Sequence, residues 1–495
     1  MASLSWTAGG YWLSRAIFLR TLAFVYLIAF INAANEFKPL VGEHGLLPAT
    51  LWMRQVPWRA SPSLFYFAAN DAIFTAAAWL GIALSCLVLT GLADAHSSWL
   101  SALVWAAIWA LYISFVNVGQ TFYAFGWESI LLEAGFLAIF MGSARTAPQV
   151  VMILLARWLC FRVMFGAGLI KLRGDPCWRD MTCLDYHYET QPMPNPLSWY
   201  FHWGPEWTHH AGVWFNHFAE LIVPFGYFLP QPAASIAGIL TIVFQATIMA
   251  SGNLSWLNLL TMVLAIPMLD DRVLSAIVPL RAPALNPPAY LHKIAVAALA
   301  LLVAWLSVAP VRNMLSRRQI MNTSFNSLHL VSTYGAFGSI TRTRYEVIVE
   351  GTDDAVPSAS SQWREYEFRG KPGAVGRQPP QIAPYHLRLD WLMWFAAMSD
   401  YSQHPWFVNF MSKLLENDRA VLSLLRSNPF PDHPPRFVRA QLYQYRFTTP
   451  AERRANGDWW NRQPAGLYFP AVSMDTPGFR TVLEEQGWLP ASGAR

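Results

Sequence analysis

Residues 221–269 read "LIVPFGYFLPQPAASIAGILTIVFQATIMASGNLSWLNLLTMVLAIPML" and contain no Asp, Glu, Lys or Arg. An α-helix needs roughly 20 apolar residues to cross the hydrocarbon core of a bilayer. This stretch is more than twice that length, so it predicts at least two crossings. A Pro-Gln-Pro run at 230–232 and a Gly-Asn pair at 252–253 are breakers that divide it into three segments. The sequence therefore predicts a membrane protein with several spanning helices.

The rest of the chain supports that class. Of its 495 residues, 54% are hydrophobic and only 13% are charged, which is far from the average of soluble proteins. Apolar runs of spanning length predict about nine transmembrane helices. They lie at residues 19–30, 72–92, 100–118, 127–141, 150–170, 213–228, 233–250, 254–269 and 294–308. Since no small-residue cleavage site follows the first run, we expect it to stay as an anchor.

Charged residues divide the chain into two predicted domains. Residues 1–311 hold 14 basic and 14 acidic side chains, whereas 312–495 hold 21 basic and 16 acidic ones. We predict a transmembrane helical domain at 1–311, with a polar loop at 171–211, and a soluble α+β domain rich in β-strands at 312–495. Alternating apolar residues predict strands near 344–351, 363–370 and 443–447, and helical spacing predicts helices at 389–398 and 406–425. The net charge of +5 is scattered, which favours a solvated surface over nucleic-acid binding.

The distribution of arginines predicts an orientation. Short interhelical loops on the N-terminal side carry Arg145, Arg272 and Arg281, so we expect those loops in the cytoplasm. The polar loop and the C-terminal domain would then lie on the exoplasmic face.

Several polar residues lie in or at the ends of the predicted spans, where an unpaired charge costs several kcal/mol. They are Glu128, Glu133, Arg157, Arg162, Lys171, His217, Glu220 and Asn253. We expect interhelical ion pairs, with Arg157 or Arg162 as the partner of Glu133. His217 and Glu220 are three residues apart, which predicts a hydrogen-bonded pair in preference to a metal site.

The stretch "GAGLIKLRGDPCWRDMTCLDYHYETQPMPNPLSWYFH" (166–202) contains the end of an apolar helix and most of the polar loop that follows it. Lys171 at its start is either an interfacial or ion-paired residue, with Asp175 or Asp180 as partner, or a base of lowered pKa. Cys177 and Cys183 predict a local disulfide, because a zinc site with His187 would lack a fourth ligand. The remaining polar residues of functional interest in the loop are Asp185, Tyr186, His187, Glu189 and Gln191. No metal or cofactor is predicted.

Six stretches together resemble the lipase maturation factor family, and the resemblance covers nearly the whole chain. They are "GQTFYAFGWESILLEAGFLAIF" (119–140), "FRVMFGAGLIKLRGDPCWRDMTCLDYHYETQPMPNPLSWYFH" (161–202), "NHFAELIVPF" (216–225), "SGNLSWLNLLT" (251–261), "YHLRLDWLMWFAAM" (385–398) and "NPFPDHPPRFVRAQLYQYRFT" (428–448). Glu128 and Ser251 are conservative departures from the expected Asp and Thr.

This resemblance implies a multispanning factor that helps secreted lipases to fold and assemble, and it favours a non-enzymatic role without deciding the point. Its expected partners are a secreted lipase or another exported protein, together with membrane lipids. It implies the endoplasmic reticulum membrane in a eukaryote and the inner (plasma) membrane in a bacterium.

A shorter likeness supports an alternative function. "GAGLIKL" followed by Asp175 and Trp178 is similar to a stretch of the vitamin K-dependent carboxylase and related transmembrane proteins. That likeness implies a membrane enzyme in which Lys171 is a base acting on a lipid, quinone or protein substrate. His187 and Glu133 are further candidate catalytic residues. A third hypothesis, thiol exchange by the two loop cysteines, is less supported because their spacing is not Cys-x-x-Cys.

Overall fold

Long apolar helices form the first part of the protein. The computed structural model describes residues 7–95 and 97–490. Within them, six helical segments are long and apolar enough to cross a membrane. They are Trp12–Val41, Asp71–Leu89, Ser98–Val118, Val150–Arg173, Ala233–Ser251 and Tyr290–Leu315. The protein is therefore an integral membrane protein.

The α-helices of this part are numbered along the chain. They are α1 (Trp12–Val41), α2 (Ala49–Gln55), α3 (Asp71–Leu89), α4 (Ser98–Val118), α5 (Gly126–Ala138), α6 (Val150–Arg173), α7 (Cys183–Thr190), α8 (Ser198–His202), α9 (Glu206–His217), α10 (Ala233–Ser251), α11 (Leu257–Ala265), α12 (Asp271–Ser275), α13 (Tyr290–Leu306) and α14 (Val308–Leu315).

The predicted count of nine spans is not confirmed, because three of the nine apolar runs form short or interrupted helices. The run at 127–141 forms α5, whose 13 residues rise about 20 Å against a hydrocarbon core of about 30 Å. The run at 213–228 contains the end of α9, a π-helical turn at Phe218–Ile222 and a 3-10 helix at Val223–Phe228. The run at 254–269 forms only the nine-residue α11 and a 3-10 turn.

Small residues allow the helices to approach closely, as is usual in membrane proteins. α1 packs along α3, where a Cβ on Gly81 would lie 2.4 Å from the ring of Phe30. On its other side the hydroxyl of Tyr26 donates a 2.8 Å hydrogen bond to the carbonyl of Leu131 in α5. A Cβ on Gly135 would collide with that hydroxyl. α1 is thus packed tightly between α3 and α5.

Strands and short helices form the rest of the chain. The strands are β1 (Thr323–Ser324), β2 (Ser332–Thr333), β3 (Arg344–Thr352), β4 (Arg364–Glu365), β5 (Glu367–Phe368), β6 (Leu425–Ser427), β7 (Phe437–Phe447) and β8 (Trp460–Val472). The helices are α15 (Arg388–Ala396), α16 (Pro405–Leu415), α17 (Arg419–Leu422), α18 (Pro450–Asn456) and α19 (Pro477–Glu485).

The main sheet is antiparallel, with strand order β4-β3-β7-β8. The predicted strands near 344–351 and 443–447 are confirmed as β3 and β7, which pair with each other, with Val347 opposite Leu442. The predicted strand at 363–370 is interrupted instead. Its halves β4 and β5 join different sheets. The predicted helices at 389–398 and 406–425 correspond to α15 and to α16 with α17.

Candidate functional site

The polar loop is built around the predicted disulfide. Cys177 and Cys183 are bonded, with Cα atoms 4.7 Å apart, and both are buried. Asp175 caps the turn before them by accepting a 3.0 Å hydrogen bond from the backbone N–H of Cys177. The Arg342 guanidinium binds both oxygens of Asp175, at 2.7 and 3.0 Å, and it lowers the pKa of that carboxyl to about 2. The loop is therefore fastened to the C-terminal region at its first turn.

Lys171 lies at the end of α6 and is buried. Its Nζ is 2.7 Å from Oε1 of Glu220 and 2.7 Å from Oδ1 of Asn216. It also lies over the ring of Trp178, 4.9 Å from the centroid. The predicted pairing of Lys171 with Asp175 or Asp180 is therefore wrong. Asp175 pairs with Arg342 instead. The carboxylate that pairs with Lys171 is that of Glu220, in the π-helical turn.

The predicted His217–Glu220 hydrogen bond is also wrong. Nε2 of His217 lies 2.9 Å from the carbonyl oxygen of Trp178, while Glu220 pairs with Lys171. A histidine–carboxylate pair does occur in the loop, between Asp185 and His209 at 2.8 Å.

One buried carboxylate–arginine pair joins two helices of the helical part, α5 and α6. Arg162 pairs with Glu133, as predicted, and also donates a 2.7 Å hydrogen bond to the carbonyl of Ser332. The hydroxyl of Tyr334 donates a 2.7 Å hydrogen bond to Glu133. Among the described residues, Arg157 pairs with no carboxylate. Instead it donates to the backbone carbonyls of Tyr227 and Pro267 and to the hydroxyl of Tyr11.

Glu128 has a partner that the sequence analysis missed. Nη1 of Arg388 lies 2.7 Å from Oε1 of Glu128, and the hydroxyl of Tyr112 donates to the other carboxylate oxygen. Nε of Arg388 donates to Asn32 at 2.7 Å, and its backbone N–H donates to Glu36 at 3.0 Å. The feature of the sequence that could have indicated this partner is the position of Arg388 among the apolar residues of "YHLRLDWLMW" (385–394). Arg388 thus joins the C-terminal region to α1 and α5.

The middle of the polar loop, residues 189–192, is bound by β3 and β7. Arg344 in β3 donates to the carbonyls of Glu189, Gln191 and Pro192. The carboxylate of Glu189 accepts a 2.6 Å hydrogen bond from the backbone N–H of Phe447. The side chain of Gln191 reaches the other way, donating to the carbonyl of Ser251 at 2.9 Å. The loop is therefore a bridge between the helices and the sheet.

Asn253, in the Gly-Asn break, makes a similar bridge. Its amide donates to the carbonyls of Pro194 and Pro380, and its oxygen accepts from the N–H groups of Ile382 and Ala383. The break that divides two apolar helices is thus also a joint to the C-terminal region.

A cavity of about 430 Å³ lies beside Lys171. It is lined by parts of α5, α6, α7, α9, α10, α11 and α15 and by residues 334–339. Lys171, Glu220 and Asn216 form one polar patch in its wall. His187 also lines it and packs on the ring of Phe337, and burial lowers the pKa of that imidazole to about 4. Its neighbour Tyr186 points elsewhere and lies beneath the guanidinium of Arg342.

Within residues 7–95 and 97–490, no group of three His, Cys, Asp or Glu side chains could hold a metal ion.

These features define a class: a multispanning membrane protein whose polar loop and C-terminal region are joined to the apolar helices by buried hydrogen bonds and by the Arg388–Glu128 ion pair. Two family descriptions match this chain. Residues 13–276 match the lipase maturation factor transmembrane domain, and residues 330–470 match the lipase maturation factor C-terminal domain. The chain belongs to the lipase maturation factor family.

Individual proteins similar to this chain support the same family. Lipase maturation factor 1 of Homo sapiens is 44% identical over 524 residues, which cover 97% of this chain and 91% of that protein. Lipase maturation factor 1 of Mus musculus is 43% identical, and the match covers 94% of this chain and 88% of that protein. Lipase maturation factor 2 of Xenopus laevis is 30% identical, and the match covers 97% of this chain and 85% of that protein. No solved structure matches the chain.

Proposed function

We propose that this protein assists the folding and assembly of exported lipases or related exported proteins. The observation that carries the proposal is similarity along nearly the whole chain to proteins named lipase maturation factors. We further propose that the polar loop and the C-terminal region face the exoplasmic side, where a newly exported client is found. The membrane is that of the endoplasmic reticulum in a eukaryote and the inner membrane in a bacterium.

The contacts of the polar loop fit a scaffold. Glu189, Gln191 and Asn253 direct their polar groups to backbone atoms of neighbouring segments. Lys171 is held by a carboxylate and an amide, an arrangement that stabilises an ammonium ion in place. These side chains give the loop and the sheet a fixed mutual position. A fixed surface is what a factor needs if it is to bind a client without reacting with it.

The test is a deletion in the native host, with the activity and amount of its secreted lipases as readouts. We expect lipase activity to fall well below that of the parent strain, while the amount of lipase transcript stays the same. A secreted hydrolase of another class serves as the control for general export, and its activity should be unchanged. Normal lipase activity in the deletion strain, or an equal loss of the control hydrolase, would contradict the proposal.

A further inference from the structure

Aromatic side chains are exposed beside one end of the spanning helix α10. The 19 residues of α10 rise about 28 Å, so its two ends lie near the two surfaces of a hydrocarbon core of about 30 Å. At the end that contains Ser251, the hydroxyl of Ser198 in α8 donates a 2.7 Å hydrogen bond to the Ser251 carbonyl. Tyr200, Trp203 and Trp207 come soon after Ser198 in the chain, and they are 54%, 40% and 70% exposed. Tyr and Trp are enriched at this depth in membrane proteins because their rings are apolar and carry one polar group.

The exposed face continues into the bilayer. Beyond α9, the π-helical turn and the 3-10 helix Val223–Phe228 run beside α10, and the chain then turns into the start of α10. The exposed side chains of this segment are apolar, and they include Ile222, Phe225 and Phe228. An exposed apolar face on a segment beside a spanning helix indicates contact with lipid. The aromatic residues at the other end of α9 therefore lie between lipid-facing and polar surroundings.

Two arginines of α18 lie beside the aromatic residues. The guanidinium of Arg453 is 5.7 Å from the ring centroid of Tyr200 and stacks on Trp459, 3.3 Å from its centroid. Within residues 7–95 and 97–490, no carboxylate pairs with Arg453 or with Arg454, which is exposed. Glu452, the acidic residue of α18, is already bound by the guanidinium of an arginine in β7. α18 therefore presents two positive charges that no described carboxylate neutralises.

Hydrogen bonds hold α18 next to α8. The indole N–H groups of Trp199 and Trp203 both donate to the carbonyl of Thr448, at 2.8 and 3.0 Å, and α18 begins soon afterwards at Pro450. The arginines of α18 are thereby placed near the level at which α10 ends. The phosphate groups of lipids lie just outside the hydrocarbon core. A guanidinium suits them because its planar set of donors matches two phosphate oxygens.

We infer that a surface of five residues binds membrane phospholipids through their phosphate groups. This headgroup surface consists of Tyr200, Trp203, Trp207, Arg453 and Arg454, and it contacts the leaflet at the end of α10 that touches α8. The rings insert beside the glycerol and upper acyl groups, and the two arginines bind phosphate oxygens. An acidic protein would satisfy the arginines equally, but only lipid accounts for the continuity with the apolar face that follows α9. The contact ties the C-terminal region to the membrane surface, and it does not depend on the proposed action on lipases.

The test measures the depth of fluorescent labels in the full-length protein, reconstituted in vesicles of phosphatidylcholine and phosphatidylglycerol. Cys86 is an exposed thiol, so Cys86→Ser is the background in which an NBD label is attached to one introduced cysteine. The vesicles carry a nitroxide quencher on the headgroup, near the top of the acyl chain or near its end. We expect the label at Ala455→Cys in α18 to be quenched most by the headgroup nitroxide, and the label at Ala211→Cys in α9 by the shallow acyl nitroxide.

Two control positions calibrate the depths. Val243→Cys lies on the exposed face of α10, about 12 Å from the end that touches α8, and should be quenched most by the deep nitroxide. Ser358→Cys should not be quenched by any lipid nitroxide. It follows β3, whose last residue pairs with Phe437, and Phe437 is at the end of β7 remote from Thr448. The 11 residues of β7 extend roughly 35 Å.

Matched variants test the arginines. In Arg454→Gln we expect headgroup quenching at Ala455→Cys to fall roughly 2- to 5-fold, because one basic residue near an anionic surface strengthens membrane contact about fivefold at low salt. Arg436→Gln removes the same charge from an exposed position at the remote end of β7 and should leave the quenching unchanged. Arg453→Gln/Arg454→Gln should lose more than Arg454→Gln. If this double variant does not fold, the two single variants decide the matter, because both positions are exposed.

Any of three results would overturn the inference. The first is a label at Ala455→Cys that aqueous iodide quenches and no lipid nitroxide quenches, which would assign the surface to an acidic protein partner instead. The second is headgroup quenching in Arg454→Gln that equals the quenching in the parent protein. The third is an equal loss of quenching in Arg436→Gln and Arg454→Gln, which would indicate an effect of net charge alone.

Discussion

Replacement of Arg388 by methionine should destabilise the whole protein, because this arginine is fully buried and joins distant segments. Its guanidinium donates to Glu128, to Asn32 and to the carbonyl of Phe122, each at 2.7 Å. Methionine preserves much of the apolar volume but removes every donor. The carboxylate of Glu128, which is fully buried, would then lack its cation.

The expected loss follows from that unpaired charge. Removal of one partner from a buried ion pair costs about 3–5 kcal/mol of unfolding free energy. Glu128→Gln should cost a similar amount, because it leaves the guanidinium unpaired. In the double variant neither charge remains, so its loss should be smaller than the sum of the two single losses by about 1–3 kcal/mol.

The measurement is equilibrium unfolding in mixed micelles, with a denaturing detergent titrated into a mild one. Arg364→Met is the control, since Arg364 pairs with Asp353 and the two side chains are 45% and 43% exposed. Exposed pairs contribute little, so this variant should lose less than about 1 kcal/mol. The reasoning is refuted if Arg388→Met behaves like Arg364→Met, or if the losses of the two single variants simply add.

Four further outcomes are expected. Lys171→Arg should keep most client maturation because the charge survives, while Lys171→Met should lose stability; background activity in both, with normal folding, would indicate a base at this position. Cys183→Ser should lower the unfolding free energy by about 2 kcal/mol, measured against the parent protein under oxidising conditions, and an unchanged value would contradict a closed disulfide. The pKa of Asp175 is about 2 in the folded protein and 3.8 in the unfolded chain, so its carboxylate adds stability above pH 3.8 that is lost as the pH falls through 2. The parent should therefore be more stable than Asp175→Asn at pH 5, and the difference should vanish below pH 2. A cysteine introduced by Ser358→Cys should react with an impermeant maleimide from the exoplasmic side, and labelling only from the cytoplasmic side would reverse the proposed orientation.

Local patterns in the sequence were enough for several elements. The apolar residues around α10 predicted a span because length and composition decide membrane insertion. The alternation of Tyr345, Val347 and Val349 predicted β3 because side chains on a strand alternate between two faces. The partner of Glu133 was predicted because a carboxylate in an apolar helix requires a cation, and two arginines on the next helix were available.

Other features depend on contacts between distant segments, which local patterns do not contain. Glu128 and Arg388 are separated by 260 positions, so no spacing rule connects them. The short helix α5 resembled a span because it is apolar on nearly every side, but it is also buried on nearly every side. An apolar helix in the core of a bundle and one in lipid have the same composition. The partner of Lys171 was missed because the π-helical turn that carries Glu220 has no signature in the sequence.

Arg388 is synthesised long after the carboxylates that it contacts. Glu128 leaves the ribosome 260 residues before its arginine, and Glu36 precedes it by 352. At translation rates of about 5–20 residues per second, the interval for Glu128 is roughly 13–50 s. During that time α1 and α5 are already in place with carboxyl groups that have no cation to meet. The helical part therefore completes its assembly only after synthesis of α15 begins, and a nascent chain that ends earlier presents quality-control proteases with carboxyl groups that lack their arginine partner.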